Sequence, residues 1–280
     1  MLITQIIYLK FMNSGVMETN GQNLYYEVHG EGSPLVLIMG LGYDSSLWGL
    51  QQIPAFSKEY KVIVFDNRDV GRSSQANETY SLVDMANDLA GLLDGLGVNK
   101  AHILGFSMGG AIAQEFAINH PEKVDKLILV GTAADDARAS FDALNVWKFV
   151  KNNDSQGMVF ATQQFVWLFS DDFLRNKDAV NQTLQLLGSN PNPQGPDAFS
   201  RQVDAAVKHD SLDRLNQIQA KTLVISSERD LIRPPWMGKK LADGIPKAKF
   251  KLIEGPGASH VVVLERPEEF NNIVLHFLKE

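Results

Sequence analysis

Ser107 is the side chain whose surroundings best suit covalent chemistry. It stands in Gly105-Phe106-Ser107-Met108-Gly109-Gly110, after the apolar run Ala101-His102-Ile103-Leu104 and before an Ala-rich stretch from Ala111 to Asn119. The run is too brief for a helix and reads as a buried strand; the stretch reads as a helix closed by His120-Pro121. A serine framed by glycines two positions to either side, at a strand-to-helix turn, is a nucleophile elbow. The glycines let strand and helix approach closely around a strained turn. The hydroxyl is thereby pushed clear of the backbone, near the positive end of the helix dipole.

A serine hydroxyl needs a base, and the base needs an orienting acid. Of the six histidines, His29 and His102 sit in or beside strands, His120 stops a helix, and His209 and His276 lie in helical or linker contexts. His260 differs, because Gly255-Pro256-Gly257-Ala258-Ser259 forms a loop able to carry it over a sheet edge. Asp230 is the expected acid: it follows the apolar segment Leu223–Ser226, just past the carboxyl end of a strand, where ligands and catalytic groups gather in parallel sheets. Glu228, Asp135 and Asp136 are the rival carboxylates.

The elements that must position these groups alternate. Val16–Thr19 and Leu24–Val28 flank Asn20-Gly21, a hairpin signal. Near-continuous apolar runs at 34–39, 61–65, 101–104, 126–130, 221–226 and 249–253 read as strands covered on both faces. Helical spacing between them, as in Leu82, Met85, Leu89, Leu92 and Leu93, implies an α/β fold with a mostly parallel sheet. About eight strands are expected, with an antiparallel N-terminal hairpin. Residues 135–209 break the alternation: no strand pattern occurs there, and large apolar residues are frequent. This segment is expected to be a helical cap inserted after the sixth strand, with residues 16–134 and 210–280 forming the core. Most of its aromatics should build its own interior; Trp147, Phe165 and Trp167 are expected to face a ligand. Residues 1–15 read as an N-terminal extension ahead of Met17.

Composition narrows the partners. The 280 residues carry a formal net charge of −7, with no basic block, which argues against nucleic acid and anionic membranes. No apolar run approaches the ~18 residues of a membrane span. Zero cysteines exclude disulfides, a thiol nucleophile and cysteine metal sites, and fit a reducing, cytoplasmic setting. No oligomeric state is read from the sequence.

The chain order Ser107, Asp230, His260 resembles the α/β-hydrolase superfamily, and the likeness extends from about Met17 to the C-terminus. It is carried by Met39-Gly40-Leu41, by Asp66-Asn67-Arg68-Asp69-Val70-Gly71-Arg72-Ser73, by Gly105–Gly110, by Arg229-Asp230 with Pro234, and by Ser259-His260 followed by Glu265-Arg266-Pro267. The sequence is most similar to the capped esterase and lactonase branch, which includes enol-lactonases and aclacinomycin methylesterase. The resemblance implies an oxyanion hole from the N–H groups of Leu41 and Met108, and hydrolysis without metal or organic cofactor. It implies a carboxylic ester or lactone as substrate; the aromatic-rich insertion suggests a medium-sized apolar acyl or ring group, N-acyl homoserine lactones being one such class. Many relatives have His-Gly at Met39-Gly40 and Gly-His at Ser259-His260, which bears on pocket shape. The superfamily's cofactor-free perhydrolases tend to carry a proline after the oxyanion residue; here Gly42 and Tyr43 follow Leu41. A ligand sensor with slow single-turnover hydrolysis, or a perhydrolase, is the alternative.

Overall fold

The computed structural model describes residues 13–135, 138–154 and 157–280. Eight strands, β1 (Asn13–Thr19), β2 (Gln22–His29), β3 (Ser33–Ile38), β4 (Tyr60–Phe65), β5 (Ala101–Phe106), β6 (Val124–Val130), β7 (Lys221–Ser227) and β8 (Lys249–Ile253), form one sheet. Their order is β1-β2-β4-β3-β5-β6-β7-β8. β2 pairs antiparallel with both β1 and β4, and every other pairing is parallel. β1 begins at Asn13, opposite Val28. Residues 13–15 therefore belong to the sheet rather than to an extension, because β2 is long enough to pair with them; residues 1–12 lie outside the described residues.

Apolar character explains the middle of the sheet. β5 is buried at every position, and Leu35–Ile38 of β3 are fully enclosed, as expected where helices cover both faces. The flanking helices are α1 (Gln52–Phe56), α2 (Leu82–Gly95) and α3 (Met108–Asn119), with α9 (Pro235–Gly244), α10 (Val262–Glu265) and α11 (Pro267–Lys279) after β7. α2 opens on a capping box between Ser81 and Asp84. Its Asp88, which helical spacing sets off the apolar face, is buried and holds Arg68 through two 2.6 Å hydrogen bonds. Between β6 and β7 lie α4 (Arg138–Asn153), α5 (Met158–Leu168), α6 (Asp171–Arg175), α7 (Lys177–Gly188) and α8 (Pro196–Val207). Among the described residues no helix is long and apolar enough to cross a membrane.

The strand order fixes where a site can form. The connection from β3 runs to one neighbour, β4, and the chain then crosses to the other, β5. Ligands bind at such reversals, outside the carboxyl ends of parallel strands. The loop after β3 and the turn after β5 both open there.

α3 is buried on almost all sides, and its Glu115 is enclosed with it. Arg214 donates to both Glu115 oxygens at 2.5 and 2.7 Å, and His209 Nδ1 lies 3.3 Å away. Burial alone would raise this carboxyl; the hydrogen bonds from His209 and Arg214 override it and lower the pKa from 4.5 to about 2. A depressed carboxyl stabilises the fold above its unfolded value and loses that contribution as pH falls through its folded value. The contribution is on the order of 3 kcal/mol at neutral pH. Glu115→Gln should therefore be less stable than the parent at pH 6, with the gap shrinking by about half or more at pH 3. Urea unfolding at the two pH values checks this, and an unchanged gap would contradict it.

Candidate active site

The turn that presents Ser107 is built from backbone packed on backbone. Ser107 has φ 55° and ψ −122°, the left-handed side of the map that non-glycine residues avoid. A Cβ on Gly105 would stand 2.2 Å from the carbonyl oxygen of Gly109, and one on Gly109 would stand 2.2 Å from that of Ile38. Any side chain at either position would force strand and helix apart. Gly40 approaches from the other side: a Cβ there would lie 3.0 Å from Ser107 Cβ and 3.5 Å from its Oγ. Leu41, which follows Gly40 in the chain, and Met108, which follows Ser107, line one cavity with the serine. Met108 is the first residue of α3, so its N–H has no partner within the helix.

His260 Nε2 lies 3.0 Å from Ser107 Oγ, and its Nδ1 lies 2.8 Å from Asp230 Oδ2. Asp230 Oδ1 accepts the N–H groups of Ile232 at 2.9 Å and Arg233 at 2.7 Å. With one oxygen fixed by backbone, the other is aimed at Nδ1, which assigns the proton there and turns the Nε2 lone pair toward the serine. Asp230 and His260 are each 3% exposed. The loops that carry them are joined by Arg229 N–H donating to Ala258 O at 2.8 Å. Gly131, at φ +52° past the end of β6, lies beneath the pair, where a Cβ would touch both residues.

The other expected candidates go elsewhere. His29 pairs with Glu27, His102 with Asp125, His120 with Asn87, His209 with Glu115 and His276 with Glu280. Glu228 accepts the N–H of Gly255, and Asp135 pairs with Lys240. Asp136 lies outside the described residues.

A cavity of about 650 Å³ opens over Ser107 and His260, walled by the sheet loops and the inserted helices. Trp147 lines it. Phe165 and Trp167 do not, which corrects the expectation for both. Gln164 and Leu168, four apart on α5, line the cavity; Phe165 and Trp167 each turn roughly 80° off that face at 3.6 residues per turn. Phe165 instead packs on Phe169, with ring centres 4.8 Å apart, and Phe169 and Phe173 take places in the wall.

Polar residues that spacing could not indicate fix the inserted helices to the sheet loops. Gln202 of α8, fully buried, accepts the N–H of Gly42 at 3.1 Å and donates to Arg68 O at 3.0 Å. Arg201 grips both oxygens of Asp69 at 2.7 and 2.9 Å. Glu265 accepts from Ser170 N–H at 2.9 Å and from Ser259 Oγ at 2.6 Å, tying α6 to the loop of His260. These partners are separated by up to 160 positions, as Gly42 and Gln202 are. The sequence signal nearest to hand was the Asp66–Ser73 stretch. In it Asp66 holds Ser45 N–H and Arg72, while Asp69 takes a positive φ.

A family model described as the alpha/beta hydrolase fold matches residues 33–267. The chain belongs to the α/β-hydrolase fold family. It is 32% identical over 258 residues, 91% of this chain and 97% of the relative, to a Mycobacterium tuberculosis protein provisionally named non-heme bromoperoxidase BpoC. It is 29% identical over 275 residues, 95% and 98% of the two chains, to a Caulobacter sp. strain K31 protein provisionally named carbamate hydrolase RutD. The enol-lactonase of Burkholderia xenovorans LB400 superposes with a TM-score of 0.85 at 25% identity, covering 95% of this chain and all of that one. Membership of the α/β-hydrolase fold family is thus established, while relatives with such different names leave the reaction and its substrate to the site itself.

The close approach at the elbow makes a direct prediction. Gly109→Ala should destabilise by about 1–3 kcal/mol or more, a Tm drop of roughly 3–10 °C. Gly188→Ala, where no atom lies within 4 Å of the added Cβ, should leave Tm within about a degree or two. Thermal unfolding of both variants decides it; equal effects would contradict the packing account.

Proposed function

We propose that this α/β hydrolase cleaves carboxylic esters or lactones with an apolar acyl group, through an acyl-enzyme on Ser107. The observation that carries this reading is the continuous hydrogen-bonded line from Asp230 through His260 to Ser107, ending at the floor of a cavity lined mainly by apolar side chains. In this mechanism His260 Nε2 takes the proton as Ser107 Oγ attacks the carbonyl carbon. The carbonyl oxygen becomes an anion received by the N–H groups of Leu41 and Met108, each such donor being worth about 2.7–4 kcal/mol in comparable sites. Collapse breaks the bond to the alkoxide oxygen, which receives the proton from His260. Water, deprotonated by the same imidazole, then attacks the acyl carbon, freeing the acid and restoring the serine. Asp230 holds the tautomer and stabilises the imidazolium between the two transfers.

Gly42 supports hydrolysis over perhydrolysis. It has φ +82° and donates its N–H to Gln202; a proline, as perhydrolases tend to carry there, could do neither. Against a sensor, the reading requires many turnovers, on the order of 1–10³ per second on a good substrate.

On a panel of nitrophenyl esters and lactones, Ser107→Ala should lose at least about 10³-fold in kcat, and Asp230→Asn roughly 10⁴-fold. Ser107→Ala should also escape labelling by a fluorophosphonate. Substantial turnover by Ser107→Ala would contradict the mechanism.

A further inference from the structure

If an acyl group occupies the cavity, as the reading above holds, the wall says something about that group. Tyr43 stands two residues after Leu41, so the loop beside Ser107 also brings a phenol into the wall. Its Oη donates to Gln164 Oε1 at 3.0 Å, across 121 positions of chain. Gln164 is 4% exposed and lines the cavity from α5. With Oε1 engaged by Tyr43, the plane of the amide is set and Nε2 is its remaining end. Burial raises the Tyr43 phenol well above its ordinary range, so it stays a neutral donor at working pH.

Two further cavity-lining residues, Trp48 and Trp147, have buried indole N–H groups without a hydrogen-bond partner. Gln52 Oε1 is a buried acceptor in the same condition. These three atoms are enclosed within the wall, out of reach of a molecule in the cavity, which leaves the amide of Gln164 as the polar group set by Tyr43. A plain alkyl chain would cover the amide of Gln164 without offering it a partner, and a buried polar group left without one disfavours such a complex. A chain carrying its own oxygen acceptor would meet at least the amide of Gln164, whose direction is already fixed.

We propose that Gln164, held by Tyr43, is a specificity subsite for a hydrogen-bond acceptor inside the acyl group, a keto or amide carbonyl oxygen. The ester or lactone carbonyl attacked by Ser107 is then one of two carbonyls that the cavity recognises.

The test reads binding, so it does not depend on turnover. Dissociation constants are measured on Ser107→Ala for methyl decanoate and for a set of methyl oxodecanoates with the keto group moved along the chain. At least one keto position should bind about tenfold more tightly than methyl decanoate. Gln164→Met, which keeps the shape without the amide, should erase that advantage while changing methyl decanoate by less than about threefold. Tyr43→Phe, which releases the amide plane, should reduce the advantage in part. If no keto position gains, if the gain survives Gln164→Met, or if that change weakens every ligand equally, the subsite is overturned. Failure of the parent chain to hydrolyse these esters would count against the acyl-enzyme reading and not against a measured binding preference.

Discussion

The site depends on how closely two backbones can be pressed together. At the end of β5 the chain must reverse into α3 within a residue or two, and Ser107 takes up that reversal at a positive φ. Such a conformation costs on the order of 1–3 kcal/mol and persists only where the surroundings over-determine it. Here the surroundings are largely main chain: Gly105 against Gly109, Gly109 against Ile38, and Gly40 against the carbonyl of Phe106 and the Cβ of Ser107. The absence of four Cβ-sized obstacles, counting Gly110 against Thr132, brings the β3 loop, the serine and the helix N-terminus close to one another. The hydroxyl's exposure, its position at the dipole's positive end and the neighbouring N–H groups follow from that one approach.

A second set of constraints seats the inserted helices. Gln202, Arg201 and Glu265 make buried or half-buried polar bonds from the insertion, or to it, at the loops that carry Gly42, Asp69 and Ser259. Hydrogen bonds to charged groups contribute about 1.5–3 kcal/mol each, and they are directional where apolar packing is not. The insertion therefore has a defined seat on the sheet loops, and the cavity between them has a defined wall. Asp69 illustrates the coupling: its positive φ and its bonds with Tyr80 and Ala76 belong to one loop, and the clamp on it comes from Arg201 of α8.

Much of this was legible in the chain. Runs of apolar residues marked the strands because a sheet covered on both faces needs nothing else. The glycine spacing around Ser107 marked the turn because only glycine permits the approach. His260 and Asp230 stood out by lying just past strand ends in loops, a topological rather than a chemical clue. What escaped was contact between distant residues of ordinary type. No spacing relates Gln202 to Gly42, Arg68 to Asp88, or Gln164 to Tyr43, since each pair is set by how elements pack. Phe165 and Trp167 show the same limit: size and hydrophobicity marked them to face a ligand, but the helical phase of α5 decided that Gln164 and Leu168 would face the cavity. Strand β1 began before the expected Val16 because pairing with β2 is a backbone matter, open to Asn13 and Ser14 as much as to valine.

The proposed hydrolysis passes through a transient covalent bond to one oxygen atom, Ser107 Oγ. Mixing the protein with a slowly deacylating ester, quenching in acid within the burst phase and mapping peptides by mass spectrometry tests it directly. An added acyl mass is expected on the peptide containing Ser107, disappearing as product acid is released. An adduct on another residue, or full turnover with no adduct on that peptide at any time, would contradict it.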